Sequence, residues 1–224
     1  MVKTIPRALG PTFPNNMIAK HRWTQKFDLI ISGSTEDSIS SNSYDNIRCY
    51  NLYDPGYSTG TTGSAMFYDD MKAHYSMYQV LGARIKVRFV NKGTGPIYAG
   101  LFRSTEGLAS GWTMTAIRER GFGGKKQRIL GALNTGREVA EFTDVYSLKK
   151  TLGVSAKDAR ADRDNWVNQD VTSVGNAFPS QLFSFYTALV DKNLTQGDTK
   201  VEAYVTVDYT ARWGDREKLT DASS

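Results

Sequence analysis

The residues with the most definite chemistry are three cations spaced two apart in the segment Tyr78 to Asn91. Cationic and apolar side chains occupy alternate positions there: Arg84, Lys86 and Arg88 against Ile85, Val87 and Phe89. Successive side chains of a β-strand point to opposite faces, so this spacing predicts a strand with one apolar face and one cationic face. Burying unpaired charge is costly, so we expect the cationic face to meet water, an acidic neighbour or phosphate.

Further cations stand at the starts of other predicted strands. Each of them alone is typical of a solvated surface. If several share one face, they would form a broad positive surface that binds phosphate, reads no base edges and weakens with salt. The predicted nucleic-acid-binding residues are Lys20, Arg22, Arg84, Lys86, Arg88, Lys125, Lys126 and Arg128.

The chain offers little catalytic or metal-binding chemistry. It has two histidines, His21 and His74, and a single cysteine, Cys49, so an intramolecular disulfide is impossible. No G-x-S-x-G segment supports a serine nucleophile, and Asp70 with His74 fits a surface hydrogen bond better than a metal site. The glycines before Lys125 depart from the phosphate-loop spacing. We therefore expect no catalytic site, no metal site and no cofactor.

Length and charge fit one domain with a polyanionic partner. A chain of 224 residues with 40% hydrophobic residues can bury a core without disulfides, and a formal charge of +5 favours nucleic acid. The proline-rich residues 1–17 predict an extended or disordered arm, 18–214 the folded domain, and 215–224 a polar tail. No run of eighteen apolar residues exists, so no membrane insertion is expected.

Alternating segments predict eight strands joined by turns and long loops. They are Lys20–Ile31, Tyr44–Tyr53, Tyr78–Asn91, Ile97–Arg103, Lys126–Leu133, Ala140–Leu148, Gln181–Val190 and Lys200–Trp213. The five residues 92–96 predict a hairpin between the third and fourth strands, residues 66–75 about two helical turns, and residues 153–178 a long loop. This count predicts an all-β chain: a single eight-stranded antiparallel jelly roll, a two-sheet sandwich with long loops.

Three segments resemble a known family. Residues 75–91 fit the pattern Y-x-x-Y-x-V-x-G-[SA]-x-I-x-V-x-F-x-N, in which a short helix leads into a central strand. Residues 51–55, NLYDP, are similar to N-x-[YF]-[DE]-P, and residues 148–153, LKKTLG, to a lysine-rich strand end before a variable loop. The chain thereby resembles the capsid proteins of small circular single-stranded DNA viruses that encode a replication protein, the circovirus-like group.

The resemblance implies a jelly-roll capsid subunit without enzymatic activity. Many copies would form a homo-oligomer, the smallest icosahedral (T=1) shell, around a circular single-stranded DNA, and the protein would reside in the virion. The family usually begins with an arginine-rich arm that binds DNA and directs nuclear import. This chain departs there, since its first sixteen residues hold only Lys3 and Arg7, so nuclear entry lacks a clear signal. The sequence identifies neither the host nor its receptor.

Three other interpretations stay open on the sequence alone. The chain is also compatible with the coat protein of a small RNA virus. A monomeric β-sandwich carbohydrate-binding module would use exposed Trp112, Trp166 and Trp213 to stack on sugar rings. A hydrolase would need an acid or histidine site that the sequence does not display.

Overall fold

The computed structural model describes residues 16–31, 39–40, 42–56, 63–113, 116–117, 119, 122–161, 166–168, 181–190 and 199–216. The strands are β1 (Met17–Ile31), β2 (Tyr44–Arg48), β3 (Tyr75–Asn91), β4 (Ile97–Ser104), β5 (Phe122–Leu130), β6 (Val139–Ser147), β7 (Val167–Asn168), β8 (Leu182–Leu189) and β9 (Thr199–Arg216). Among the described residues, the short helices with defined bounds are α1 (Tyr68–Lys72), α2 (Leu148–Leu152) and α3 (Ala156–Ala161). None of the described helices is long and apolar enough to span a membrane.

The strands form two antiparallel sheets. One has the order β1-β9-β3-β6, with the two-residue β7 paired to β3, and the other has the order β2-β8-β4-β5. The chain stays within one sheet from β4 to β5 and from β6 to β7 and changes sheet at every other connection, so most neighbours in a sheet are distant in sequence. Two antiparallel sheets with four strands each, apart from the short β7, make a jelly roll, which confirms the predicted fold class.

The core lies between the two sheets and follows the alternation of the strands. Ile85, Val87 and Phe89 of β3 are fully buried, as are the odd-numbered apolar residues of β9. Phe185 of β8 closes the space between the sheets, with its ring 5.2 Å from that of Phe27 and 6.2 Å from that of Phe89. Strand β8 is buried on both faces, as its near-continuous apolar sequence predicts.

The predicted hairpin between β3 and β4 is wrong. β3 pairs with β9 and β6, whereas β4 pairs with β8 and β5 in the other sheet. Asn91 directs this crossing, because its side-chain amide donates to the carbonyl oxygens of Gly95 and Gly131, each at 2.8 Å. The short link therefore bridges two sheets instead of folding one strand back on its neighbour.

Strand β2 ends at Arg48, five residues before the predicted Tyr53. The Arg48 guanidinium donates to the carbonyl oxygens of Asp54 and Gly56 and to the Asp54 carboxylate, at 2.6 to 2.8 Å, and so draws the chain into a turn. Asn51 Oδ1 accepts from Tyr53 N–H and from the Tyr78 hydroxyl. Asn51 and Tyr78 belong to two of the segments that resemble the capsid family, and the structure brings these segments into contact.

The helix expected over residues 66–75 is limited to α1, and Tyr75 already belongs to β3. Met66 N–H bonds to the Arg22 carbonyl of β1, and the left-handed backbone of the next residue interrupts a right-handed helix. Phe67 follows with a φ of 63°. In the segment 153–178, predicted as a loop, the described part contains α3 and β7.

Candidate nucleic-acid interface

Five of the predicted cations lie on one surface, the outer face of the sheet β1-β9-β3-β6, which we call the basic face. β9 lies between β1 and β3. In the register of the sheet, Asp208 of β9 therefore lies between Arg22 of β1 and Arg84 of β3, and Thr206 lies between Thr24 and Lys86. With strands about 4.8 Å apart, the cations of β1 and β3 are roughly 10 Å apart across the sheet. The structure thus brings together Lys20, Arg22, Arg84, Lys86 and Arg88.

Acidic residues on β1, β6 and β9 neutralise part of this surface. The Arg22 guanidinium lies 2.6 Å from the Asp208 carboxylate, and Lys86 Nζ lies 2.9 Å from Glu141. Lys26 and Lys200 form similar pairs, at 2.8 Å with Glu202 and at 3.0 Å with Asp28. All these groups are at least partly exposed, so each pair contributes little to stability. These ion pairs determine which cations of the basic face remain available to a ligand.

The ion pairs also shift the pKa values of their members. The hydrogen bond to Asp208 raises the pKa of Arg22, and the one from Lys200 lowers the pKa of Asp28. The bond from Lys26 lowers the pKa of Glu202 in the same way. These groups therefore remain ionised at neutral pH.

Positive charge remains in excess on the basic face. Among the described residues, no carboxylate lies within ion-pairing distance of Lys20, Arg84 or Arg88. The described strand residues of this face comprise eight cations, Lys20, Arg22, Lys26, Arg84, Lys86, Arg88, Lys200 and Arg212, and four acids, Asp28, Glu141, Glu202 and Asp208. These twelve side chains therefore carry an excess of four positive charges.

An exposed aromatic ring lies among these cations. Tyr204 of β9 pairs with Lys26 on one side and Arg88 on the other, and its residue surface is 43% exposed. Lys26 Nζ lies 5.9 Å from the ring centroid, and the Tyr204 hydroxyl donates to Glu202. Sequence reasoning missed Lys26, Lys200, Arg212 and Tyr204 as parts of the face. The alternation along β1 and β9 was the signal that places them there.

Lys126 and Arg128 lie elsewhere. They belong to β5, the edge strand of the other sheet, and pair with Leu101 and Ala99. Lys126 Nζ donates to the Thr143 carbonyl of β6, so it lies at the seam between the edges of the two sheets. The side chain of Lys125 lies outside the described residues. Any role of these three in binding nucleic acid stays a prediction.

Three other chemistries, namely a metal site, the histidine site of a hydrolase and sugar stacking on Trp213, receive no support from the described residues. No group of three His, Cys, Asp or Glu side chains in that part of the chain can hold a metal ion. His21 is buried, and its Nε2 accepts from Trp213 Nε1–H while Nδ1–H donates to the Met66 carbonyl. The carbohydrate-binding hypothesis is wrong for Trp213, which is fully buried with its ring 5.1 Å from that of Tyr78.

Solved structures share this fold. A chain of mud crab tombus-like virus aligns with a TM-score of 0.53 at 10% identity, over 94% of the present chain and 87% of its own length. A chain of the T=3 Penaeus vannamei nodavirus aligns at 0.52 and 13% identity, over 92% of the present chain and 56% of its own. No family profile and no curated protein matches the sequence.

The BFDV capsid protein aligns over 89% of this chain and 100% of its own length, with 12% identity and a TM-score of 0.40. That score is too low to favour the circovirus-like group over other capsid proteins. The structural neighbours are viral capsid proteins, and at these identities the likeness establishes the jelly-roll fold.

Proposed function

We propose that this chain is a viral capsid subunit that assembles with copies of itself into a closed icosahedral shell around a single-stranded genome. The observation that carries the proposal is the strand order β1-β9-β3-β6 against β2-β8-β4-β5, in a fold shared with viral capsid proteins over 94% of the chain. The protein would act as a structural component of the virion, without enzymatic activity.

The basic face gives this subunit a surface for the genome. Lys20, Arg84 and Arg88 hold no carboxylate partner among the described residues, so phosphates can approach them without displacing an ion pair. Such contacts neutralise charge and depend little on sequence, which suits a shell that must accept a whole genome. We propose that the basic face lines the interior of the shell.

The edges of the basic face fit contacts between copies. Ile18 and Ile30 of β1 and Val139 and Val145 of β6 are exposed apolar side chains on the two outermost strands. Exposed apolar groups on a sheet edge favour association with another chain. Closed symmetry lets many such small contacts add up to a stable shell.

The test combines electron microscopy, size-exclusion chromatography and the ratio of absorbance at 260 and 280 nm, at low and high salt. We expect uniform spherical particles whose ratio is well above that of pure protein. Treatment of the extracted nucleic acid with DNase or RNase then distinguishes circular single-stranded DNA, which the sequence resemblance favours, from RNA. A monomer at every salt concentration would contradict the proposal.

A charge-reversal variant separates shell formation from packaging. Arg84→Glu with Arg88→Glu should still form particles but should lower their nucleic-acid content, because the phosphates would meet negative charge. Arg137→Glu with Lys150→Glu is the matched control, since these exposed cations lie in a turn and in α2. Equal nucleic-acid content in the two variants would remove the basic face from the proposal.

A further inference from the structure

A depression of about 630 Å³ lies at one end of the basic face. It includes Gly82, where the register of β3 shifts against β9 after Val80, a β-bulge that adds one residue to β3. Gly82 contributes only backbone to the surface there. The depression is lined by Lys20, Arg22, Arg84 and Asp208 and by the apolar side chains of Met66 and Phe67.

Phe67 is unusual in both conformation and environment. Its φ of 63° is left-handed, a backbone conformation that a bulky residue adopts less readily than glycine or asparagine. The residue is 59% exposed, and so its ring gains little from the core of this chain. A strained residue persists when the surrounding structure fixes it, and such residues cluster at binding sites.

The backbone beside Phe67 is held in place. Met66 N–H donates to the Arg22 carbonyl at 2.7 Å, and the Met66 carbonyl accepts from His21 Nδ1–H at 2.9 Å. The Phe67 carbonyl accepts from Met71 N–H. The exposed ring is therefore presented from a fixed backbone, which lowers the entropy lost when a ligand binds.

The charge of the depression selects the chemical class of that ligand. Arg22 already neutralises Asp208, while Lys20 and Arg84 have no carboxylate partner among the described residues. Two available cations beside an exposed aromatic ring match a phosphate joined to a flat base. A second copy of this chain fits less well, since its own charge of +5 opposes burial of these cations.

We propose that the depression binds one unpaired nucleotide of a single-stranded nucleic acid, with its base stacked on Phe67 and its phosphates against Lys20 and Arg84. The volume lies within the usual range of roughly 300–1,000 Å³ for small-ligand sites. This inference rests on the proposed function. It adds one contact that depends on the base to the phosphate contacts proposed for the cations of the basic face.

The test measures binding of the full chain to two fluorescent strands of twelve nucleotides, oligothymidylate and an abasic strand with the same phosphates. We expect the wild-type protein to bind oligothymidylate about tenfold more tightly, the gain that one stacked base provides. Phe67→Gly should lose this preference and keep its affinity for the abasic strand. Phe67→Trp should retain the preference.

The glycine variant also controls for folding, because glycine adopts a φ of 63° without strain and should not lower the unfolding midpoint. Ile129→Ala removes an exposed apolar side chain on β5, away from the basic face, and should bind as the wild type does.

Three outcomes would overturn the inference. If the wild-type protein binds both strands equally, the stacked base is absent while the proposed function stands. If it binds neither strand at low salt, the role of the basic face in holding the genome fails as well. If Phe67→Gly prevents particle assembly and leaves both affinities unchanged, then a second copy of the chain occupies the depression.

Discussion

The outer faces of the two sheets differ in what covers them. On the sheet β2-β8-β4-β5, Phe102 and Tyr186 are buried beneath Ile39, Leu108 and Ile117, which form a second apolar cluster. On the sheet β1-β9-β3-β6, most of the outward side chains are ionic or polar and remain exposed. One face is therefore completed by the protein's own loops, and the other is left to solvent or to a partner.

Specific hydrogen bonds hold the loops on the covered face. Ile39 N–H donates to the Trp112 carbonyl at 3.0 Å, and the Ile39 carbonyl accepts from Gly111 N–H. The buried Asn46 side chain bonds to both the N–H and the carbonyl of Leu108. Such bonds make the cover part of the folded domain. The comparison teaches that stability is concentrated on one outer face, while the other is available for binding.

The variant with the largest expected effect on stability is Phe102→Ala, on the outer face that the loops cover. Removing a fully buried ring leaves a cavity and should lower the free energy of unfolding by about 3–5 kcal/mol. Arg88→Ala on the basic face is the matched change and should stay within about 0.5 kcal/mol of the wild type. Urea unfolding of the unassembled protein measures both. Similar losses for the two variants would contradict the division between the faces.

The next test removes charge from the basic face. Arg84→Ala with Arg88→Ala should weaken binding of a single-stranded oligonucleotide by about tenfold or more at low salt. It should also reduce the slope of log K against log salt by about 1.4, since each lost phosphate contact accounts for roughly 0.7. Fluorescence anisotropy at several salt concentrations measures both quantities. Arg137→Ala with Lys150→Ala should leave the slope unchanged, and an equal change there would indicate general charge effects.

The sequence predicted what depends on local alternation. Strands β3 and β9 follow from their period of two, because each residue's face is set by its neighbours along the chain, and β8 follows from its near-continuous apolar sequence. The pairing of the strands was harder to predict from the sequence. Residues 92–96 have the length of a hairpin turn, yet the chain passes to the other sheet there, with the Asn91 side chain hydrogen-bonded to Gly95 and Gly131. The position of Lys126 and Arg128 in the other sheet likewise depends on the pairing of β5 with β4, which no local pattern shows.

The candidate site was predicted in part, since its acidic members come from distant segments. Asp208 lies over 120 positions from Arg84 in sequence, and only the register of β9 shows that it separates Arg22 from Arg84. No local pattern gives the left-handed backbone of Phe67, which depends on bonds from Met66 to β1. Both features are products of tertiary structure.

A smaller effect concerns His21, which lies beneath the basic face. Burial lowers the pKa of His21 below its ordinary value of 6.5, and the hydrogen bond to the Met66 carbonyl offsets this only in part. The unfolded chain therefore binds a proton more readily than the folded one, so stability should be complete above about pH 6.5 and fall with acidification. Protonated Nε2 would also face the Trp213 N–H donor.

Chemical unfolding at pH 7.5 and 5.5 measures this loss. His21→Asn should reduce the difference between the two pH values. His74→Asn, the change at the other histidine, should preserve it. If both variants keep the wild-type dependence, other groups are responsible for the acid sensitivity.

The smallest expected effect comes from Asp208→Asn, which removes a negative charge between Arg22 and Arg84 and retains the side chain's shape. Freed from its partner, Arg22 becomes available to phosphate, so affinity for an oligonucleotide should rise a few-fold and the salt slope should steepen by roughly 0.7. Stability should change by less than about 1 kcal/mol, since both partners are exposed. Glu119→Gln makes the same charge change at an exposed residue outside the strands of the basic face and should alter binding less. Equal gains in the two variants would mean that net charge, and not its placement on the basic face, governs the interaction with nucleic acid.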